Sequence, residues 1–365
     1  MGLNVLNVFR VFAVSAVFTA VAPFLSLVVV GQSVAQQPET SNPAVDVEDP
    51  LFQAHDMITL NIVGPIEQIR EDRGEEPEYR ETTVTWSVGG ETGELPVQIR
   101  PRGNFRKRKS TCRMPPLRLN FAKKQVTGTL FDGQDKLKLV THCRDGEDYE
   151  QNVFEEYLSY RLFNLVTDQS FRARLVQITY TDTEGSDPLV RHGFLIEDED
   201  RMAARLGGTI EEMGQLHPHR IAEGFEPKVA LFQYMIGNTD YSMVQAHNVK
   251  VVRLEAGGYI AVPYDFDWSG LVNAGYARPN ETLGIRNVRQ RLYRGFCRDG
   301  QDFNGTFEAF LAVQPEIAGL YDEVPAWKEK DRERATKYLA DFFEVIEDPK
   351  KADRQIVRAC RQVLS

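Results

Sequence analysis

The chain contains no Gly-x-x-x-x-Gly-Lys-Ser/Thr loop, no Gly-x-Ser-x-Gly elbow and no His-Glu-x-x-His helix. P-loop NTPases, serine hydrolases of the elbow type and zincin proteases therefore lack their minimum parts. Cysteine is scarce, with four in 365 residues and no Cys-x-x-Cys, and the six histidines are scattered, so no zinc spacing is present. No internal repeat is evident, which argues against a solenoid or propeller. Net positive charge is also missing. Lys and Arg total 43 against 53 Asp and Glu, a formal charge of −10 that becomes −11 if Arg10 leaves with an export signal. That balance argues against general binding to nucleic acid or anionic membranes.

What is present begins with an apolar run over residues 11–30, preceded by Arg10 and followed by Ser33-Val34-Ala35. The small-x-small pattern predicts a signal peptide over 1–35, cut before Gln36. The competing reading is an uncleaved anchor, since about 20 apolar residues span a bilayer; with cleavage no stable membrane span remains. A secreted or periplasmic location would put Cys112, Cys143, Cys297 and Cys360 where disulfides persist. Three connectivities exist, and 112–143 with 297–360 is the expected one because each pair stays within one expected lobe.

Residues 36–50 are polar, acidic and Pro-containing and are expected to form a flexible leader. Strand patterns follow at 57–63, 82–87, 95–100, 117–121, 136–141, 175–181 and 192–196, with helices expected at 152–166 and 198–206. Beyond Gly224 the pattern predicts helices at 227–236, 307–320, 326–346 and 351–364 and strands at 249–254 and 259–262. The expectation is an α+β protein of two lobes, strand-rich over 51–225 and mostly helical over 226–365, with the chemistry at their junction.

The most informative stretch runs from Gly237-Asn238-Thr239-Asp240 through His247-Asn248 to Tyr264-Asp265-Phe266-Asp267. It supplies three carboxylates and a carboxamide on adjacent hairpin-like segments. Such hard oxygen ligands suit a divalent cation that shares its shell with phosphate oxygens. Asp240, on a loop after a helix, is placed to accept or orient an acceptor hydroxyl's proton. Asn248 and Asp265 flank strands and would ligate the metal, and Asp267, two residues on, would assist. Any one of these acids would be accounted for as a turn or capping residue, but the whole set is not. Residues 98–124 hold ten basic side chains and no acid, either a docking site for an anionic ligand or a charge-blunted edge strand. Arg286, Arg289, Arg291 and Arg294 are spaced as on one helical face.

The order Asp, His-Asn, strand, Asp-x-Asp resembles the catalytic half of the CotH-type secreted kinase family. Arg102-Gly103-Asn104, Leu117–Phe121, Leu137-Lys138-Leu139, the helix from Asn152 and Gly193–Glu197 extend the likeness over roughly residues 100–270. The resemblance implies an atypical protein-kinase-like fold and transfer of phosphate from ATP to Ser or Thr hydroxyls of exported proteins, with Mg2+ or Mn2+. It makes Asp240 the catalytic aspartate and Asn248 and Asp265 metal ligands. Asn248 lies eight residues after Asp240, longer than the spacing of five common among kinases, so residues 241–246 must bulge.

The phosphate-binding cation is left open among Arg118, Lys138 and Lys136, with Lys138 preferred, and Arg102 is a further cofactor-binding candidate. Glu197 would pair with that cation or reach the metal. Two other readings accompany the kinase: a metal-dependent phosphohydrolase in which the ions activate water, and a catalytically inactive envelope binding module.

Overall fold

Alternation sets the first half of the fold. Ile58, Leu60 and Ile62 are completely buried while Thr59 is exposed and Asn61 and Val63 are half-buried, the period-two signature of a strand with one face on a core. The computed structural model describes residues 49–324 and 326–363; the expected signal peptide and most of the leader lie outside them. In chain order come β1 (Ile58–Gly64), α1 (Ile66–Glu71), β2 (Arg80–Val88), β3 (Glu91–Pro101), β4 (Leu117–Phe121), α2 (Lys123–Val126), β5 (Lys136–Val140), α3 (Glu147–Val166), β6 (Ala173–Asp182), β7 (Leu189–Ile196) and α4 (Glu199–Arg205).

The seven strands close into a barrel in the order β1-β2-β3-β4-β5-β7-β6. Its closing pair, β1 with β6, is parallel from Ile58↔Val176 to Gly64↔Asp182, and every other pair is antiparallel. This overturns the expected two-lobed, kinase-like architecture with a strand-rich first lobe: the strands form a closed mixed barrel, and closure removes the open edges such a lobe would have. Leu60, Val84, Val97, Leu119, Leu137, Leu139, Ile178 and Leu195 fill the interior. On the outer face α3 lays Phe154, Tyr157, Leu158 and Tyr160 against Phe194, Ile196 and Leu175 of β6 and β7.

The chain continues through β8 (Gly208–Ile210), α5 (Phe225–Ile236), β9 (Val249–Leu254), β10 (Tyr259–Pro263), α6 (Phe303–Val313), α7 (Ile317–Asp322), α8 (Glu329–Glu347) and α9 (Pro349–Ala352). Strands β10, β9 and β8 make a second, antiparallel sheet in that order. Its Val251, Val252, Ile260 and Val262 share a core with α3, α5 and α8. Among the described residues no helix is long and apolar enough to cross a membrane.

Three expectations in the last third need correction. The single helix expected over 307–320 is α6 and α7 with a 3-10 turn at Gln314–Glu316, which carries Pro315, between them. The helix expected over 351–364 stops at Ala352, passes through a π turn at Asp353–Val357 and becomes extended. There the backbone of Arg361 bridges Phe296, and Cys360 is bonded to Cys297, so the tail is tied to a neighbouring segment instead of continuing to coil. The arginines from 286 to 294 lie on irregular chain rather than one helix face. Arg289 and Arg291 both stack on the Tyr338 ring, at 4.4 and 3.8 Å, which uses their planar guanidinium groups as packing surfaces. Both disulfides, Cys112–Cys143 and Cys297–Cys360, pair as expected.

The barrel core fixes one stability expectation. Leu139 is completely buried between β4 and β7, so Leu139→Ala should cost about 2–5 kcal/mol, read as a lower denaturation midpoint. A change below about 0.5 kcal/mol would contradict a packed interior at this position.

Candidate active site

The loop bearing Asp240 is set by the end of α5. Gly237 closes the helix at φ 65°, and a Cβ there would lie 1.9 Å from the Tyr338 hydroxyl, so only glycine fits this turn. Asn238 Oδ1 then accepts from the Asp240 backbone N–H at 2.9 Å, an Asx turn that aims the following carboxylate. The expected bulge is a tight hairpin: Ser242 and His247 exchange both backbone hydrogen bonds, at 2.9 and 3.0 Å. Ala246 and Asn248 take left-handed conformations, φ 49° and 50°, to bring the chain back.

As a result Asn248 meets Asp240 directly. Its Nδ2 donates to the Asp240 carboxylate at 3.0 Å and to the Asp240 carbonyl at 2.7 Å, while His247 Nε2 lies 3.1 Å from the other carboxylate oxygen. The carboxylate remains 37% exposed and faces a cavity of about 300 Å³ lined by Thr239, Trp268, Arg278, Pro279, Asn280 and Val288. A held yet solvent-reachable carboxylate is suited to taking a proton.

Asp265 is reached through the β9–β10 hairpin. The Tyr264 N–H donates to the Asn248 carbonyl at 3.0 Å, so the two segments are joined just beyond the strand ends. Asp265 also sits at positive φ, 63°, with its N–H donated to the Tyr160 hydroxyl of α3 at 3.0 Å. Strained non-glycine backbone of this kind persists where surrounding contacts over-determine it.

Glu156, Asp265 and Asp267 each offer a carboxylate oxygen within 4.8 Å of the others. Arg106 lies among them, 2.9 Å from Glu156, 2.9 Å from Asp265 and 3.4 Å from Asp267. Burial works against its charge, but Asp267 and Glu156 more than compensate and hold the guanidinium well above its usual pKa. Burial, with the other acids adding to it, pushes Asp267 far above the carboxylate range and Glu156 upward, although Arg106 opposes both shifts. One guanidinium in contact with three carboxylates leaves two negative charges in excess when all are ionised. A divalent hard cation matches that surplus in charge and in oxygen donors, so the residues fit a magnesium or manganese site.

Beside the trio runs a row of cations. Arg100 faces Arg118 across β3 and β4, and Arg118 faces Lys138 across β4 and β5. Like charges directly opposite one another on a sheet repel, and an anion bound across them would relieve this. Arg100, Arg102, Lys107 and Arg118 line a cavity of about 580 Å³, with Glu75 and Glu76 also on its wall. Lys138 lies toward the other end of the row. Its ammonium donates to Glu199 at 2.7 Å and sits 5.6 Å from the centre of the Tyr264 ring. Burial, with Arg102 adding to it, lowers the pKa of Lys138; burial also lowers that of Arg102, against the pull of Asp265.

The cation's carboxylate partner differs from expectation. Glu199, bridging Lys138 and Lys250, holds Lys138. Glu197 is buried and fully engaged by Arg205 through two contacts of 2.8 Å and by the Arg172 N–H at 2.9 Å, so it joins β7 to α4. Lys136 is exposed on β5. The site groups that the sequence did not single out are Arg106 and Glu156. The signal for Glu156 was a carboxylate pair, Glu155-Glu156, inside an otherwise apolar helix stripe, where unpaired acids are rarely buried.

No protein-family model matches the chain, and no curated protein does. Among solved structures it is similar to the Helicobacter pylori proinflammatory kinase CtkA, at 10% identity and a TM-score of 0.31, covering 78% of this chain and 90% of that one. Similarity at that level defines neither a shared fold nor a shared activity.

The neighbouring Glu155 yields a pH expectation. It is fully buried, and burial pushes its carboxyl from 4.5 up to about 8 despite the adjacent Arg334. Between those two values the folded chain keeps a proton that the unfolded chain has released. Stability should therefore be greatest below about pH 4.5 for this group and fall as pH rises toward 8, by up to about 1.4 kcal/mol per pH unit. Chemical denaturation across that range should show the decline, and Glu155→Gln should flatten part of it; an unchanged slope would refute the assignment.

Proposed function

We propose that this chain is an exported CotH-like kinase that transfers the γ-phosphoryl group of a nucleoside triphosphate, ATP being the expected donor, to a Ser or Thr hydroxyl of an exported protein. The supporting observation is the junction at Asn248: its side chain holds Asp240, and its carbonyl holds the turn that carries Asp265 into the acid trio. In this reading the proton acceptor and the acids that would hold the cation flank the same open end of the β9–β10 hairpin, beside a row of barrel cations.

In this reading Asp240 orients the acceptor hydroxyl and takes its proton as that oxygen bonds to the γ-phosphorus and the bond to the β-γ bridging oxygen breaks. The nucleoside diphosphate leaves with the electron pair. Arg102, Arg118 and Lys138 bind phosphate oxygens and offset their charge. Asp265, Asp267 and Glu156 would hold Mg2+ or Mn2+, whereas the Asn248 side chain, expected as a further ligand, is bonded to Asp240; the cation would neutralise charge on the phosphates. Export is supported by two disulfides, which persist in oxidising compartments.

Arg106, in ionic contact with all three acids, favours one competing reading. As an inactive envelope module the chain would use the guanidinium as a permanent counter-ion and would bind nucleotide or a partner without turnover.

Incubation of the purified protein with γ-labelled ATP and Mg2+ or Mn2+ separates these readings. Label on protein supports the kinase, free phosphate without acceptor labelling supports a phosphohydrolase, and binding without either supports the module. For a kinase, Asp240→Asn should lower transfer about 10²–10⁴-fold, and Asp265→Asn should lower it to background, each with a nearly unchanged melting temperature. Transfer retained by either variant would remove that residue from the site.

A further inference from the structure

A second cavity, of about 650 Å³, is lined in part by the loop that follows Asp240. Ser242, Val244 and Gln245 of that loop form one wall, and Arg220, Arg294 and Arg361 supply its charge. His217, Gln215 and Gln362 add polar groups, and the lining contains no acid. Asp240 and Ser242 are two residues apart, so their Cα atoms are separated by at most about 7 Å.

The three arginines are held in place by contacts that leave their charge uncancelled. Arg294 donates to the carbonyls of Thr239 and Tyr241, the residues on either side of Asp240. Arg220 donates to the Tyr259 hydroxyl at 2.7 Å and stacks over that ring at 4.5 Å. Arg361 stacks over Phe296 at 4.3 Å, and its Nε is buried without a hydrogen-bond partner. Among the described residues none of the three forms a salt bridge, although such bridges are frequent elsewhere in the chain. Glu226, a buried acid behind this wall, accepts from the Phe296 N–H and does not line the cavity. Burial and the charge of Arg294 lower the pKa of Arg361, against the pull of Tyr241 and Glu226.

We infer that this cavity binds the acidic side chains of an acceptor polypeptide next to the hydroxyl presented to Asp240. The inference rests on the kinase reading above. The nucleotide phosphates are served by a different set of cations, on β3, β4 and β5, which leaves these arginines to the acceptor. The volume lies within the range of small-ligand pockets and admits a few side chains. The arginines discriminate by charge, while the glutamines and Ser242 offer hydrogen bonds to peptide backbone.

The test uses fluorescence anisotropy of the full chain, without nucleotide or metal, and a labelled ten-residue peptide with one serine followed by three glutamates. The control peptide replaces each glutamate by glutamine. The acidic peptide should bind about tenfold tighter or better at low salt, with the preference fading as salt rises. Arg220→Gln combined with Arg361→Gln should reduce its affinity to that of the control, with the Cys297–Cys360 bond verified by mass. Should the double variant fail to fold, Arg220→Glu alone, on an exposed side chain, should remove most of the preference, since it lowers the cavity's formal charge by two. Equal affinity for both peptides, an unaffected variant, or displacement of the peptide by metal-free ATP would overturn the inference. Because no turnover is involved, charge-selective binding without phosphate transfer would sink only the kinase reading, whereas transfer indifferent to peptide charge would sink only this one.

Discussion

The contact on which the candidate site depends is the sharing of Arg106 among Glu156, Asp265 and Asp267. It joins three pieces of chain distant in sequence: the loop after β3, helix α3 and the turn after β10. Phe105 reinforces it, meeting Trp268 and Tyr276 edge-on at 5.3 and 5.6 Å, and the Tyr276 hydroxyl donates to Asp267 at 2.9 Å. Removing Arg106 would leave three acids close together without their counter-ion, whereas the cluster as a whole holds geometry more than it adds net stability. Here the held geometry is the position of Asp265 relative to the outer face of the barrel.

The strained backbone has the same logic. Ala246, Asn248 and Asp265 all adopt positive φ without being glycine, and each conformation costs free energy that surrounding contacts must offset. For Asn248 the offset comes from two hydrogen bonds to Asp240, and for Asp265 from Tyr160 and Arg106. These residues carry both the strain and the candidate chemistry, so the hairpin is built around its acids rather than around its own propensities.

Local patterns in the sequence located much of this. Strands β4 and β9 fall on the residues where alternation puts them, the other expected strands differ by a few residues at their ends, α5 begins two residues early, and the three-residue β8 lies where a loop was expected. A helix stop, Gly237-Asn238, and a short return to β9 bring Asp240 and Asn248 close together, but the sequence pointed to Asn248 as a metal ligand and not as the hydrogen-bond donor to Asp240 that it is. Barrel closure was not legible, since it depends on a parallel pairing between Ile58 and Val176 that no local period encodes. Arg106 stood unread among ten basic residues because a run of like charge does not say which member turns inward. Glu197 and Glu199 are equally acidic neighbours, and only the side from which α4 approaches decides that one meets Arg205 and the other Lys138. The tail was misread for a similar reason: its helical composition is overridden by the covalent tie at Cys360.

The parallel seam between β1 and β6 has a consequence for how the chain acquires its shape. Strands β1 to β4 can zip together through successive antiparallel neighbours as they become available, but β1 keeps an unpaired edge until residues 173–182 arrive. Closing so long a loop delays the rewarding contacts and slows folding relative to local pairing. Until that seam forms, the edge of β1 remains open to pairing with another chain, so the interval before β6 docks is when this protein is most exposed to aggregation.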